Sequence, residues 1–174
     1  MARGLAGATR FGTIHSTNIT PDRDTGIGNW MAGQVLKSLR NGIRADGEHL
    51  YPVFPYTAFT KVTDEDIAAI FAYFKSIPAV RQVTPANELS FPFNQRSLMS
   101  VWKALYFNEG VYQEDPAKSK EWNRGAYIVE ALAHCGACHS PRTFLGGQHA
   151  DRALTRRAYP DHLRTSPLAP WPPP

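Results

Sequence analysis

Four stretches of the chain place apolar residues at helical spacing and so predict four helices. The clearest follows Thr63, which can cap a helix ahead of the first-turn carboxylates Asp64–Asp66. One face of this helix carries four apolar residues, Ile67, Ile70, Phe71 and Phe74. Because Pro78 cannot continue the pattern, we expect this helix to end near residue 76.

The other three helices are less sharply delimited. One begins at Asn29, a capping residue, and ends at Asn41-Gly42, where glycine supplies a left-handed cap. Another covers residues 96–107. The last runs from Ser119 to Ala133 and leads directly into a pair of cysteines.

The segments between these helices lack helical period. Residues 46–60 place Pro52 and Pro55 among four aromatic residues, Tyr51, Phe54, Tyr56 and Phe59. The prolines exclude a regular helix, while the aromatic rings offer apolar surface that must cover something. Residues 78–94 and the end of the chain beyond Gly147 are also rich in proline. The pattern therefore predicts a mainly α fold with long irregular loops.

Composition and charge narrow the class of protein. The chain has 174 residues, of which 43% are hydrophobic, which is typical of one globular domain or two small ones. The sequence contains no run of about 18 apolar residues, so it predicts no membrane-spanning helix. Residues 1–10 contain no apolar stretch as long as that of an export signal. The net charge of +4 is concentrated after residue 141, where five Arg stand against two Asp. We interpret this basic end as solvated and expect no nucleic-acid partner.

The strongest chemical signal is the motif Cys135-Gly136-Ala137-Cys138-His139, which holds the only two cysteines of the sequence. Covalent haem attachment requires two thiols that can each add to one vinyl group, followed by an imidazole that ligates the iron. Because the motif follows a predicted helix, it can form a further turn with both sulfurs on one side. The spacing therefore predicts haem c bound through Cys135 and Cys138, with His139 as axial ligand.

Two other chemistries compete for the cysteine pair. A thioredoxin-like pair would begin a helix after a strand, and no such pattern precedes Cys135. A zinc site needs four ligands. The remaining candidate ligands, His134, His139, His149 and His162, lie at none of the usual paired spacings. Both alternatives are therefore less favoured than haem.

The sixth ligand of the iron is left open by the sequence. No methionine follows Met99, so a methionine ligand after the attachment motif is excluded within this chain. Met31 and Met99 lie on predicted helices and are interpreted as core residues. His149 and His162 lie in the irregular end, where we expect them to be exposed.

Several stretches resemble the multi-haem cytochrome c subunits of bacterial alcohol, gluconate and sorbitol dehydrogenases. The stretches are Phe11–Ile14, Ser16–Asp22, Thr25–Gly28, Asp46–Thr57, Phe91–Arg96, Glu121–Tyr127 and Ala133–Arg142. In that family three cytochrome c domains share one periplasmic, membrane-associated chain. They relay electrons from a catalytic dehydrogenase subunit toward quinone.

The resemblance implies cytochrome c-like helical domains, both incomplete. Residues 1–78 would form a truncated first domain without its haem motif, 79–118 a linker with one helix, and 119–174 the start of a second domain. It further implies an electron carrier rather than an enzyme. Its partners would be a dehydrogenase catalytic subunit and a quinone or respiratory-chain acceptor. Its place would be the periplasm, peripheral to the inner membrane through these partners.

Two departures from the family pattern set the remaining expectations. In the family, a Cys-x-x-Cys-His motif precedes the Phe-Gly-Thr-Ile stretch, and we expect this first motif to be missing because the chain begins too late to include it. In addition, Phe54 stands where many relatives have a methionine as distal ligand. The match fades after Gly147, so we expect a marginally stable, truncated product. Helix 63–76 could then pack against helix 119–133. The alternative function is a haem-free fragment, non-functional or partner-binding.

Overall fold

The helices lie close to where apolar spacing predicted them. In the computed structural model, which describes residues 4–155, they are α1 (Ala32–Asn41), α2 (Tyr56–Phe59), α3 (Asp64–Ser76), α4 (Leu98–Tyr106), α5 (Lys120–Tyr127) and α6 (Gly136–His139). A π-helical segment, Ile128–Leu132, continues α5, and a 3-10 turn covers Ala150–Arg152. The mainly helical prediction is confirmed. None of the helices described in residues 4–155 is long and apolar enough to cross a bilayer.

The caps of α1 and α3 test the local predictions. Thr63 caps α3 as expected, since its Oγ1 accepts a hydrogen bond from the Asp66 N–H at 3.3 Å. Gly42 ends α1 in the left-handed region, with φ of 60°. The prediction that Asn29 caps α1 is wrong. The cap is Met31, whose N–H donates to Gln34 Oε1 at 2.9 Å, because the Asn29 amide is used within the preceding loop.

A small antiparallel sheet occupies segments that the sequence left irregular. Strand β1 (Ala6–Thr9) pairs with β2 (Gly12–His15), which pairs with β3 (Glu88–Leu89). A Cβ on Gly12 would lie 2.1 Å from the Glu88 carbonyl oxygen, so this close pairing requires glycine. The sheet thereby joins the start of the chain to the proline-rich segment 78–94.

Two apolar clusters join distant parts of the chain. The first is built from Val35 and Leu39 of α1, Val62, Ile67 of α3, Tyr127 of α5 and Ala131 of the π-helical segment. The second is built from Tyr51, Tyr56, Met99 and Trp102. Ile67 and Tyr127 thus meet in one cluster, so the start of α3 packs against the end of α5. The first cluster crosses both predicted segment boundaries, at residues 78 and 118, and the second crosses the boundary at 78. The division into domains stays a prediction.

Candidate cofactor site

The Cys-x-x-Cys-His motif forms one short helical turn after the π-helical segment. His134 adopts a positive φ of 42°, which redirects the chain between the two helical segments. The Cys135 N–H then donates to the Val129 carbonyl at 3.0 Å, and the His139 N–H donates to the Cys135 carbonyl at 3.0 Å. Because residues three and four apart share a helix face, Cys135, Cys138 and His139 lie on one side of the turn. Both cysteines are free thiols and half-buried.

Contacts from the following loop hold this turn in place. The Arg142 guanidinium donates to the carbonyls of Ala137 and Gly146, at 2.7 and 2.9 Å. Ser140 is fully buried, and its Oγ accepts a hydrogen bond from the Leu154 N–H at 2.9 Å. The loop therefore fixes the orientation of α6 from its C-terminal side.

A large apolar cavity of about 1310 Å³ adjoins the motif. Of the three motif residues, only Cys138 lines it, while Cys135 and His139 lie outside the lining. Most of the wall is apolar, with contributions from Phe11, Ile14, Tyr51, Val53, Phe54, Phe59, Leu89, Phe93, Leu98, Met99, Val101, Trp102, Leu105 and Leu145. The aromatic loop thus covers this cavity through Phe54 and Phe59. Tyr56 instead turns into the second cluster, with its ring centroid 5.3 Å from that of Phe107.

Charge in the cavity wall is confined to one edge. Arg10 and Arg142 are its only charged side chains among the described residues, apart from His134, whose charge depends on protonation. Arg10 lies in the turn between β1 and β2, and its Nη2 donates to the Thr143 carbonyl at 2.6 Å and also to the Phe144 carbonyl. The hairpin is therefore tied to the loop that follows the motif.

The other sequence candidates fall into two groups. Met99 is buried in the second cluster and lines the cavity, so its interpretation as a core residue is confirmed. The same interpretation is wrong for Met31, which caps α1 and is 69% exposed. His149 is partly exposed, with its Nδ1 3.8 Å from Asp151 Oδ1, and His162 lies outside the described residues. The sixth ligand stays unassigned.

The geometry bears on the two competing chemistries. A thioredoxin-like pair would begin a helix that follows a strand, but α6 has four residues and follows a π-helical segment. Within residues 4–155, no three His, Cys, Asp or Glu side chains come together as a metal-binding group. Neither arrangement therefore supports these alternatives over haem.

The three motif residues fit a covalently attached haem by their chemistry and spacing, while only Cys138 among them lines the adjoining cavity. The two thiols are free, lie three residues apart on one turn and precede an imidazole. The cavity beside Cys138 exceeds the roughly 300–1,000 Å³ typical of small-molecule sites, which leaves room for a large planar ligand. Its apolar walls suit a porphyrin.

Sequence reasoning missed two parts of this site. Arg10 carries no sequence signal, because its role depends on a hairpin that was not predicted. The exposed stripe Leu98, Val101 and Leu105 of α4 has helical spacing, yet spacing alone does not show which face of a helix meets a cavity. Arg142 was identified only as part of a family-like stretch.

Comparison with known proteins agrees with the geometry. The chain is 54% identical over 147 residues to one of the nicotinate dehydrogenase subunits of Pseudomonas putida, an alignment that covers 84% of the chain and 12% of that protein. It is 46% identical over 147 residues to the fructose dehydrogenase cytochrome subunit of Gluconobacter japonicus, covering 83% of the chain and 30% of the relative. It is 37% identical over 178 residues to the gluconate 2-dehydrogenase cytochrome c subunit of Pantoea cypripedii, covering 98% and 39%.

No protein-family model matches the chain. The chain spans well under half of the length of each of these three relatives. The alignments nevertheless extend over most of the chain. Over most of its own length, the chain is therefore similar in sequence to cytochrome c subunits of bacterial dehydrogenase complexes.

Proposed function

We propose that this chain is an electron-transfer unit carrying haem c covalently on Cys135 and Cys138, with His139 ligating the iron. The observation that carries the proposal is the placement of all three residues on one helical turn, with Cys138 opening onto a large apolar cavity. Each thiol would hold the haem by adding across one vinyl group, with a new C–S bond and the thiol hydrogen transferred to the other vinyl carbon.

When bound, the haem iron supplies a one-electron couple. The chain contributes the environment of that couple. Cavity walls such as Phe54 and Trp102 exclude water, and Arg142 holds the attachment turn through the Ala137 carbonyl. Because the potential of a haem depends on burial and on surrounding hydrogen bonds, these residues would tune it. The chain breaks no bond in any substrate, so it acts as a carrier rather than an enzyme.

The names of the relatives support a proposal about partners. Two are cytochrome subunits of fructose and gluconate dehydrogenases, so we propose a dehydrogenase catalytic subunit as the electron donor. A quinone or another component of the respiratory chain would be the acceptor. Since haem is joined to such motifs outside the cytoplasm, the site of action would be the periplasm. Association with the inner membrane would be peripheral and through partners.

Haem attachment can be tested directly. The chain is fused to an export signal, produced with a cytochrome c maturation system, and assayed by pyridine haemochrome spectra and intact mass. We expect covalent haem in the unsubstituted chain and in His149→Ala, a control outside the motif. We expect none in the Cys135→Ala/Cys138→Ala double variant.

His139→Ala tests the axial ligand separately. Any haem retained on the two thioethers should show an altered absorption spectrum, because the iron has lost an imidazole. A colourless exported chain with two alkylatable thiols would contradict the proposal. It would leave the haem-free, partner-binding alternative.

A further inference from the structure

The charge in the cavity wall is arranged for an amphipathic ligand. Arg10 and Arg142 both lie at the edge formed by the loop after the motif, because Arg10 donates to the Thr143 carbonyl and Arg142 directly precedes Thr143. No described Asp, Glu or Lys lines the cavity. The cavity therefore combines an apolar body with a positively charged edge.

We propose that Arg10 and Arg142 bind the carboxylates of the cavity ligand. If the ligand is haem, as the proposed function requires, these carboxylates are its two propionates. A carboxylate that enters an apolar cavity loses hydration, and it requires a cationic hydrogen-bond partner to compensate. A guanidinium supplies that partner with five donors in a planar fork, which matches carboxylate geometry.

Arg10 is held ready for this role. Its guanidinium carbon lies 4.8 Å from the ring centroid of Phe11 and 5.4 Å from that of Phe144. Among residues 4–155 it forms no ion pair, and the two carbonyl hydrogen bonds use only its Nη2. Its Nε and Nη1 therefore remain for an incoming carboxylate.

Arg142 adds a second cation whose position is fixed by the attachment turn. Its two terminal nitrogens donate to the carbonyls of Ala137, within the motif, and of Gly146. Any movement of α6 would therefore move this guanidinium as well. The cationic edge and the attachment site are thus built as one unit.

A porphyrin titration separates this assignment from covalent attachment. The 174-residue chain with Cys135→Ala/Cys138→Ala is titrated with iron protoporphyrin IX and with its dimethyl ester, which lacks free carboxylates. We expect the diacid to bind more tightly than the ester. Adding Arg10→Gln and Arg142→Gln should weaken diacid binding by about tenfold per arginine, as expected for hydrogen bonds to charged groups, and leave ester binding unchanged.

Control variants keep the outcome decisive. Arg81→Gln removes an exposed arginine that does not line the cavity, and it should preserve the preference for the diacid. Arg10→Lys keeps the positive charge, so it should retain part of the preference for the diacid that Arg10→Gln loses. Equal affinity for diacid and ester in the arginine-containing chain would overturn the proposal, as would an unchanged preference in the double Gln variant.

The matured protein gives a second readout. Reduction of the iron adds one negative charge, so loss of the two cations should lower the midpoint potential of the haem. An unchanged potential in Arg10→Gln/Arg142→Gln would count against the arginine assignment. Failure of covalent attachment would overturn the proposed function alone, since the porphyrin titration does not require it.

Discussion

The Tyr127 hydroxyl donates a hydrogen bond to Asp66 Oδ2 at 2.6 Å and thereby joins α5 to the first turn of α3. The same oxygen accepts a hydrogen bond from the Thr63 N–H at 3.1 Å. Tyr127→Phe removes both and leaves the Thr63 donor unpaired. We expect it to lower the free energy of unfolding by about 1–3 kcal/mol, measured by urea denaturation.

Tyr73→Phe is the matched control, because Tyr73 lies on α3 but is 56% exposed. It should change stability by less than about 0.5 kcal/mol. Equal effects of the two substitutions would show that the Tyr127–Asp66 contact does not stabilise the packing of α3 against α5.

This contact also shows how far the sequence could predict the fold. The cap at Thr63, the apolar face of α3 and the left-handed Gly42 are local features, and the structure confirms them. The β1–β2–β3 sheet could not be predicted, because its strands are short and β3 pairs from more than seventy residues away. Short strands carry too few residues to show alternation, and distant pairing leaves no local pattern.

The candidate site divides in the same way. Cys135, Cys138 and His139 are neighbours in the sequence, so their shared chemistry could be predicted from spacing. The cavity wall draws on the hairpin, the aromatic loop, α4 and the loop after the motif. Its cationic edge exists only once Arg10 has crossed to Thr143. Tertiary packing, rather than local pattern, creates that part of the site.

Gly42 offers a sharp test of backbone geometry. It has a φ of 60°, and a Cβ there would lie 2.6 Å from ring atoms of Tyr56, which is fully buried. Gly42→Ala combines left-handed strain with overpacking, so we expect a loss of about 3 kcal/mol or more, measured by thermal and urea unfolding.

Gly33→Ala is the control for Gly42→Ala. Gly33 lies within α1, and a Cβ there would meet nothing within 4 Å. Since alanine favours helix over glycine, this substitution should stabilise the chain by about 0.5–1 kcal/mol. Comparable destabilisation by both substitutions would contradict the proposed role of the left-handed cap.

The Tyr56 hydroxyl is buried without a hydrogen-bond partner among the described residues. An unpaired buried hydroxyl destabilises a fold, so Tyr56→Phe should be neutral or stabilising by up to about 1 kcal/mol at pH 7. If Tyr56→Phe leaves stability unchanged or raises it while Tyr127→Phe lowers it, the two variants distinguish an unpaired buried hydroxyl from a paired one. A loss above about 1 kcal/mol would show that the hydroxyl has a partner.

Alkaline pH should act through the same group. Burial raises the pKa of Tyr56 above its ordinary value. Above about pH 10 an unfolded tyrosine loses its proton while the folded one retains it, so the unfolded state binds fewer protons and stability falls as pH rises. Tyr56→Phe should therefore lose less stability than the unsubstituted chain between about pH 9 and 11, as measured by urea denaturation. Parallel losses would refute this.

His49 should control stability on the acid side. Burial, followed by the ammonium of Lys103, lowers the pKa of His49. Lys103 Nζ donates to His49 Nδ1 at 2.9 Å and also to the carbonyls of Asn41 and Gly42. Because an ammonium only donates, His49 Nδ1 accepts this hydrogen bond and carries no proton. Below its ordinary pKa of about 6.5, the unfolded histidine binds a proton that the folded one does not, and stability falls as pH falls.

His49→Gln isolates this titration, because glutamine keeps an acceptor for Lys103 but gains no charge. We expect a smaller loss of unfolding free energy between about pH 7 and 5 in His49→Gln than in the unsubstituted chain. The measurement is urea denaturation at each pH. If both proteins lost the same amount, the contact with Lys103 would not be the source of acid sensitivity.

The outer edge of the cavity carries apolar side chains that water can reach. Val101 and Leu105 of α4 line the cavity and are 58% and 61% exposed. Apolar surface of this kind binds hydrophobic dyes, whereas substitution of exposed residues rarely alters stability by more than about 0.5 kcal/mol. In the haem-free chain, Val101→Thr/Leu105→Gln should therefore lower the fluorescence of bound anilinonaphthalene sulfonate while preserving stability. Leu5→Gln removes a leucine that lies outside the cavity and is even more exposed, at 70%, so the fluorescence with this variant should match that with the unsubstituted chain. If Leu5→Gln lowered the fluorescence as much as the α4 double variant, the dye would be reporting general surface hydrophobicity, and the cavity would not be open to a large apolar ligand.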